Sequence, residues 1–176
     1  MTRIGTAARI GGAVLAAAAM VGTVGSGWPV NAEGALQHLD DGGQDAFGCI
    51  PRHRDFGVGI QLDGAEHPIT QPVRIDAVEV ADQEGVRVVE TLLVRVRPGA
   101  DRVGSTDFPL SREHYPDVEP ATGALVRPGE QTDLVVNVRR TAAEGGSASG
   151  ISVVYSQGAT RWRVDTHTTV GIHGRC

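Results

Sequence analysis

Beyond residue 49, apolar side chains recur at every second position in short runs, and such a chain can bury them only as the inward faces of β-strands. Phe56, Val58, Ile60 and Leu62 share one face, with Gly57, Gly59 and Gln61 on the other. After Pro72 the alternation slips between Ile75 and Val78, which predicts a bulge near Asp76. In residues 86–97, Val86, Val88, Leu92, Val94 and Val96 read as one face broken by Glu90. Leu134, Val136 and Val138 alternate likewise, as do Ile151, Val153 and Tyr155. Ser156-Gln157-Gly158-Ala159 reads as a hairpin turn into a last strand, whose Trp162, Val164, Thr166, Thr168, Val170 and Ile172 point one way. Six or seven strands without a helical period predict an all-β antiparallel sandwich.

Punctuation between the strands agrees. Arg97-Pro98-Gly99 and Arg127-Pro128-Gly129 are two type II turn signals, with glycine supplying the positive φ. Asp63-Gly64 is a further turn signal. Residues 144–150, rich in Gly and Ser, have the composition of a flexible connector. Residues 99–122 break the alternation and hold Phe108, Arg112, His114 and Tyr115. They read as a long ordered crossover that tucks Phe108 and Tyr115 over the core edge, and as a possible loop site at Arg112, His114 and Tyr115.

The first 32 residues carry Arg3 and Arg9 and then no charge until Glu33. An apolar run from Ile10 to about Val24, followed by Val30-Asn31-Ala32, is the layout of a signal peptide cleaved after Ala32. The same run is long enough to remain as an uncleaved membrane helix. Either alternative places the remainder outside the cytoplasm. Residues 33–48, with His38-Leu39-Asp40-Asp41-Gly42-Gly43, read as a flexible leader before a domain spanning 49–176.

Cleavage leaves 14 arginines, no lysine and 21 acids, a formal charge of −7. That opposes nucleic-acid binding, which needs a basic footprint. The two cysteines, Cys49 and Cys176, bracket this domain, and in an oxidising exterior they are expected to pair as a disulfide. His53 and His173 stand close to them in sequence, so two thiolates and two imidazoles form the alternative, a tetrahedral metal site.

Other chemistry is poorly supported. The Ser147 region lacks the Gly-x-Ser-x-Gly spacing and following helix of a nucleophile elbow. No methionine lies beyond Met20 to serve as an axial copper ligand. Asp40, Asp41 and Asp45 lack the ligand spacing of a calcium loop. The outward face of the last strand carries Arg161, Arg163, Asp165, His167, Thr169 and His173. It is a possible ligand face, or the ordinary solvent face of a sheet.

Four features come in order: a cysteine before a Phe-x-Val strand, a Pro-Val-x-Ile strand, a Pro-Gly-Glu turn into Leu-Val-Val-x-Val, and a closing Tyr-x-x-Gly-x-x-Arg-Trp-Arg hairpin. Together they resemble small secreted actinobacterial proteins with an immunoglobulin-like fold. The resemblance spans residues 49–176 and transfers no functional residue. The expectation is an exported, immunoglobulin-like sandwich acting as a binding or structural module at the cell envelope, without cofactor or catalytic residue. Its expected partner is an envelope component or protein, and the membrane itself only if the first segment stays uncleaved. The alternatives are a secreted enzyme using a histidine-bearing loop or sheet face, and a metal-binding module.

Overall fold

A computed structural model describes residues 34–49, 54–63 and 68–175. The predicted signal or anchor, residues 1–32, lies outside them, as do His53 and Cys176. The described chain is all-β. Its strands are β1 (Asp45–Gly48), β2 (Asp55–Gln61), β3 (Val73–Glu84), β4 (Val86–Val96), β5 (Ser105–Asp107), β6 (Asp117–Pro120), β7 (Leu125–Val126), β8 (Gln131–Arg140), β9 (Gly145–Gln157), β10 (Thr160–Asp165) and β11 (Thr169–His173). One sheet runs β1-β11-β9-β3-β7, with β10 also on β9; the other runs β5-β2-β8-β4-β6. The first is not purely antiparallel as expected, because β1 lies parallel to β11.

Between the sheets the alternating residues interlock. Phe56, Val58 and Ile60 of β2, Leu134, Val136 and Val138 of β8, and Ile151, Val153 and Tyr155 of β9 are all buried in one cluster. Each buried aliphatic side chain contributes roughly 1.5–3 kcal/mol relative to exposure. The bulge expected near Asp76 is present, as a register shift against β9 between Ile75 and Ala77. Both Arg-Pro-Gly turns form: Gly99 and Gly129 have φ of 80° and 78°, and the Ala100 and Glu130 amides donate to the carbonyls of Arg97 and Arg127.

Four expectations are corrected. First, β4 does not keep one face. A register shift between Val88 and Glu90 turns the strand over, so Val86 and Val88 face the main core while Leu92, Val94 and Val96 face outward onto a second cluster with Val103 and Val135. One extra residue in a strand exchanges its faces.

Second, residues 99–122 do more than tuck an edge. β5 pairs with β2 at one margin of the second sheet and β6 with β4 at the other, so the segment wraps the sheet's outer face. Glycines admit it: a Cβ at Gly57 would stand 2.1 Å from the Phe108 ring, and one at Gly59 1.9 Å from the Val103 carbonyl oxygen.

Third, the Gly/Ser run is no connector but the start of β9, between β3 and β11. At Gly145 (φ 86°) the chain passes from one sheet to the other. Its own carbonyl crowds Gly85, and a Cβ at Gly146 would stand 1.9 Å from the Glu84 carbonyl oxygen. Close backbone approach, not flexibility, selects glycine here.

Fourth, the leader from residue 34 onward is a folded strap. A 3-10 turn at Gln37–Asp40 places Leu36 and Leu39 in the main core, and the Leu36 amide donates to the Tyr155 hydroxyl at 3.3 Å. Residues three apart eclipse on such a turn, so the two leucines point together.

Candidate functional site

The last strand keeps its inward face and breaks in the middle. Val164, Thr166, Thr168, Val170 and Ile172 are buried. Between β10 and β11, the Thr166 amide and hydroxyl both donate to the Ile151 carbonyl, and His167 takes a positive φ of 48°. The outward side chains are largely engaged with one another. Arg161 Nε lies 3.4 Å from Asp76, and Arg163 reaches Glu79 at 2.5 Å and the Ser152 hydroxyl at 2.8 Å. Ser152 also donates to Asp165, while His167 Nε2 lies 3.0 Å from Asp40 on the strap.

The break opens a cavity of about 380 Å³ that gathers Arg163, Asp165 and His167 over a floor including Ala81 and Gly150. Arg161 and His173 stay outside it. His173 instead stacks on Phe47, with centroids 5.3 Å apart, and the Phe47 ring covers Gly171, its cross-strand neighbour.

The loop residues divide as well. Tyr115 packs on the outer apolar cluster of the second sheet, its amide donating to the Ser111 carbonyl at 2.8 Å. His114 is exposed and holds the Ser111 hydroxyl at 2.9 Å through Nδ1. Arg112 lines a groove of about 350 Å³ whose apolar wall includes Leu92, Phe108, Leu110 and Val118.

Cys49 directly follows β1, whose last residue Gly48 stands opposite Ile172 of β11. The expected disulfide partner Cys176, and the further metal ligand His53, fall outside the described residues. No described residue is a free cysteine, and no described group of three or more His, Cys, Asp or Glu could hold a metal ion.

Two features escaped sequence reading. A cleft of about 330 Å³ lies between the strap and the β2–β5 margin, lined by polar groups that include Gln44, Gln61, Arg102 and Thr166. Beside it Asp133 is fully buried, holding Arg102 and accepting from the Val103 amide at 2.7 Å. Burial pushes the Asp133 carboxyl above its usual value, against the lowering effect of the Val103 amide and Arg102. Burial also raises the Tyr155 hydroxyl, opposed by the Leu36 amide. Arg95 is pulled down by desolvation, but its hydrogen bond and charge pairing with Glu119, aided by Asp117, outweigh that and raise it. A buried carboxylate three residues after Gly-Glu in a strand-like run has no sequence signal apart from its break in the apolar pattern. Comparison with known proteins finds no matching family model, curated protein or solved structure.

Proposed function

We propose that the chain is an exported, immunoglobulin-like sandwich that serves as a binding or structural module at the cell envelope and acts by contact, not catalysis. The observation that carries this reading is the mutual satisfaction of the outward polar row: Arg161 on Asp76, Arg163 on Glu79, His167 on Asp40. Side chains held by their neighbours make a preorganised surface that loses little entropy on docking. The signal-like first segment supports export, and the side-by-side lie of β1 and β11 suits fastening Cys49 to Cys176 outside the cytoplasm.

Fractionation of cells expressing the full chain, with intact mass of the recovered product, tests it. The reading expects the chain in the envelope or medium, either shortened by residues 1–32 or membrane-held, and resistant to thiol alkylation. A cytoplasmic chain with alkylatable cysteines overturns it.

A further inference from the structure

Strand β3 is closed along its whole length on one side only. Its pairing with β9 runs from Arg74 to Glu84, while β7 on the other side covers Val73 and Arg74. The Ala124 carbonyl and the Gly123 amide extend that cover to Ile75, and past the bulge no described residue pairs with 77–84 on this side. Eight residues therefore present a row of backbone amides and carbonyls without a strand neighbour, which is a template for another chain. The edge strands β1, β5, β6 and β7 have only two to four residues each. Across the same margin β4 is better closed: β6 covers it from Leu92, and the Val88 amide donates to Gln83 Oε1 at 2.7 Å.

The side chains along this open edge come in a fixed order. By the two-residue period, Val78, Val80, Asp82 and Glu84 follow one another on one face. Val78 and Val80 pack on the main core yet stay half-buried, as does Val88 across the margin. Asp82 and Glu84 are exposed. Asp76 and Glu79 are answered by Arg161 and Arg163, whereas among the described residues Asp82 and Glu84 belong to no ion pair. Residues 77–84 hold three acids and no base, and that disfavours a second copy of this chain as the occupant. An antiparallel pair of such edges that keeps its faces sets valine against carboxylate, as Val78 against Asp82 or Val80 against Glu84, or else Glu79 against its own copy.

We propose that residues 77–84 of β3 are a strand-addition site for an extended basic segment of a partner protein, laid antiparallel, in which two basic side chains and then two branched apolar ones alternate on one face. The partner's backbone continues the first sheet past β3, and main-chain hydrogen bonds supply the affinity. Its basic pair meets Glu84 and Asp82, and its apolar pair covers Val80 and Val78. The two carboxylates act twice: they turn away a like edge and admit a basic one, so specificity comes from repulsion as well as attraction. This assignment rests on the reading of the chain as a contact module and names the chemistry of its partner.

The test is a titration of the full chain, followed by amide chemical shifts and calorimetry, with a capped peptide in which two arginines and then two valines alternate with threonines. Saturable binding with a Kd of about 1 mM or tighter is expected, with the shifts concentrated on residues 77–84. The same peptide with its backbone amides N-methylated, and one with glutamates in place of the arginines, are each expected to bind at least about 10-fold more weakly. Asp82 and Glu84 are exposed, so the double variant Asp82→Lys, Glu84→Lys is expected to keep its unfolding midpoint, lose the arginine peptide and take the glutamate one. Glu113→Lys, in the loop over the opposite sheet, is expected to change nothing. Absence of saturable binding, shifts elsewhere, full affinity of the methylated peptide, or no exchange of preference in the double variant overturns the proposal. A dimer of the unmodified chain that protects the amides of 77–84 overturns it too, by giving the edge to a second copy. None of these results alters fractionation or thiol reactivity, so failure here is distinct from failure of the envelope reading.

Discussion

The guanidinium of Arg102, in the wrapping segment, lies against a carboxylate with no solvent exposure: its Nη2 is 2.7 Å and its Nε 2.9 Å from Asp133 Oδ1. The same Nη2 reaches the Asp63 carboxylate at 3.1 Å and the Thr132 carbonyl at 3.0 Å. One side chain thus fastens the wrap to β8 and to the residues following β2. Arg102→Ala would leave Asp133 buried without its cation, a loss of about 3–5 kcal/mol where a buried pair is broken from one side. Urea unfolding with an unchanged m-value measures it; a loss below about 1 kcal/mol would show the pair to be solvated.

Because burial raises the Asp133 carboxyl, the folded state holds that proton more tightly than the unfolded state does. Its contribution to stability is fully present below the ordinary value of 3.8 and is lost as pH rises through the raised folded value. Asp133→Asn keeps an acceptor for the Val103 amide and removes the titration. The variant is expected to lose this downward component of the stability profile above pH 3.8, read by thermal unfolding across acidic pH. Parallel profiles for the two proteins would contradict the burial argument.

Sequence reading succeeded where one local rule acts alone. Period two located the inward faces of β2, β8 and the second half of β9, and Pro-Gly located both type II turns. It failed where a residue is chosen for what approaches it from far along the chain. Glycines 145 and 146 resemble linker until the backbones of Glu84, Gly85 and Ile172 are seen against them. The strap's Leu36 and Leu39 are two apolar residues in a Gly/Asp-rich segment, and burial decides their state only once Tyr155 and the core are in place. The face change in β4 shows in the sequence only as an irregular run at Glu90, whereas its cause is the additional residue at Val89. The candidate face was found as a row, while its division into a three-residue cavity and two outliers depends on the His167 kink.

If the strap is part of the folded domain, truncating its buried side chain is costly. Leu36→Ala is expected to destabilise the chain by about 2–5 kcal/mol, the range for leucine deletion in a packed core. Tyr155→Phe, which removes the hydroxyl accepting from the Leu36 amide, is expected to cost about 1 kcal/mol. Denaturant midpoints for both decide between a strap and a mobile leader; for a leader, Leu36→Ala would be neutral.

The wrap across the second sheet needs bare backbone beneath it. In Gly59→Ala the new methyl would stand 1.9 Å from the Val103 carbonyl oxygen, where backbone must move, so overpacking of about 1–3 kcal/mol or more is expected. Gly99→Ala meets nothing within 4 Å and carries only the strain of φ 80°, about 1 kcal/mol. A larger loss in Gly59→Ala than in Gly99→Ala, from the same unfolding assay, supports the wrap; the reverse order would mean that the segment stands off β2.

The chain's ends provide the last test. β1 runs parallel to β11 with Asp45 opposite Thr169 and Gly48 opposite Ile172, so Cys49 follows the first of two strands that leave in the same direction. A bond from Cys49 to Cys176 would close a loop of more than 100 residues and contribute roughly 4–5 kcal/mol in the chain-entropy model. The chain recovered under oxidising conditions is then expected to weigh about 2 Da less than its reduced form, the mass of two hydrogens, and to lose most of that stability on reduction. A mass unchanged by reductant, or an unfolding midpoint indifferent to it, would show that the parallel pairing holds the ends without a covalent fastener.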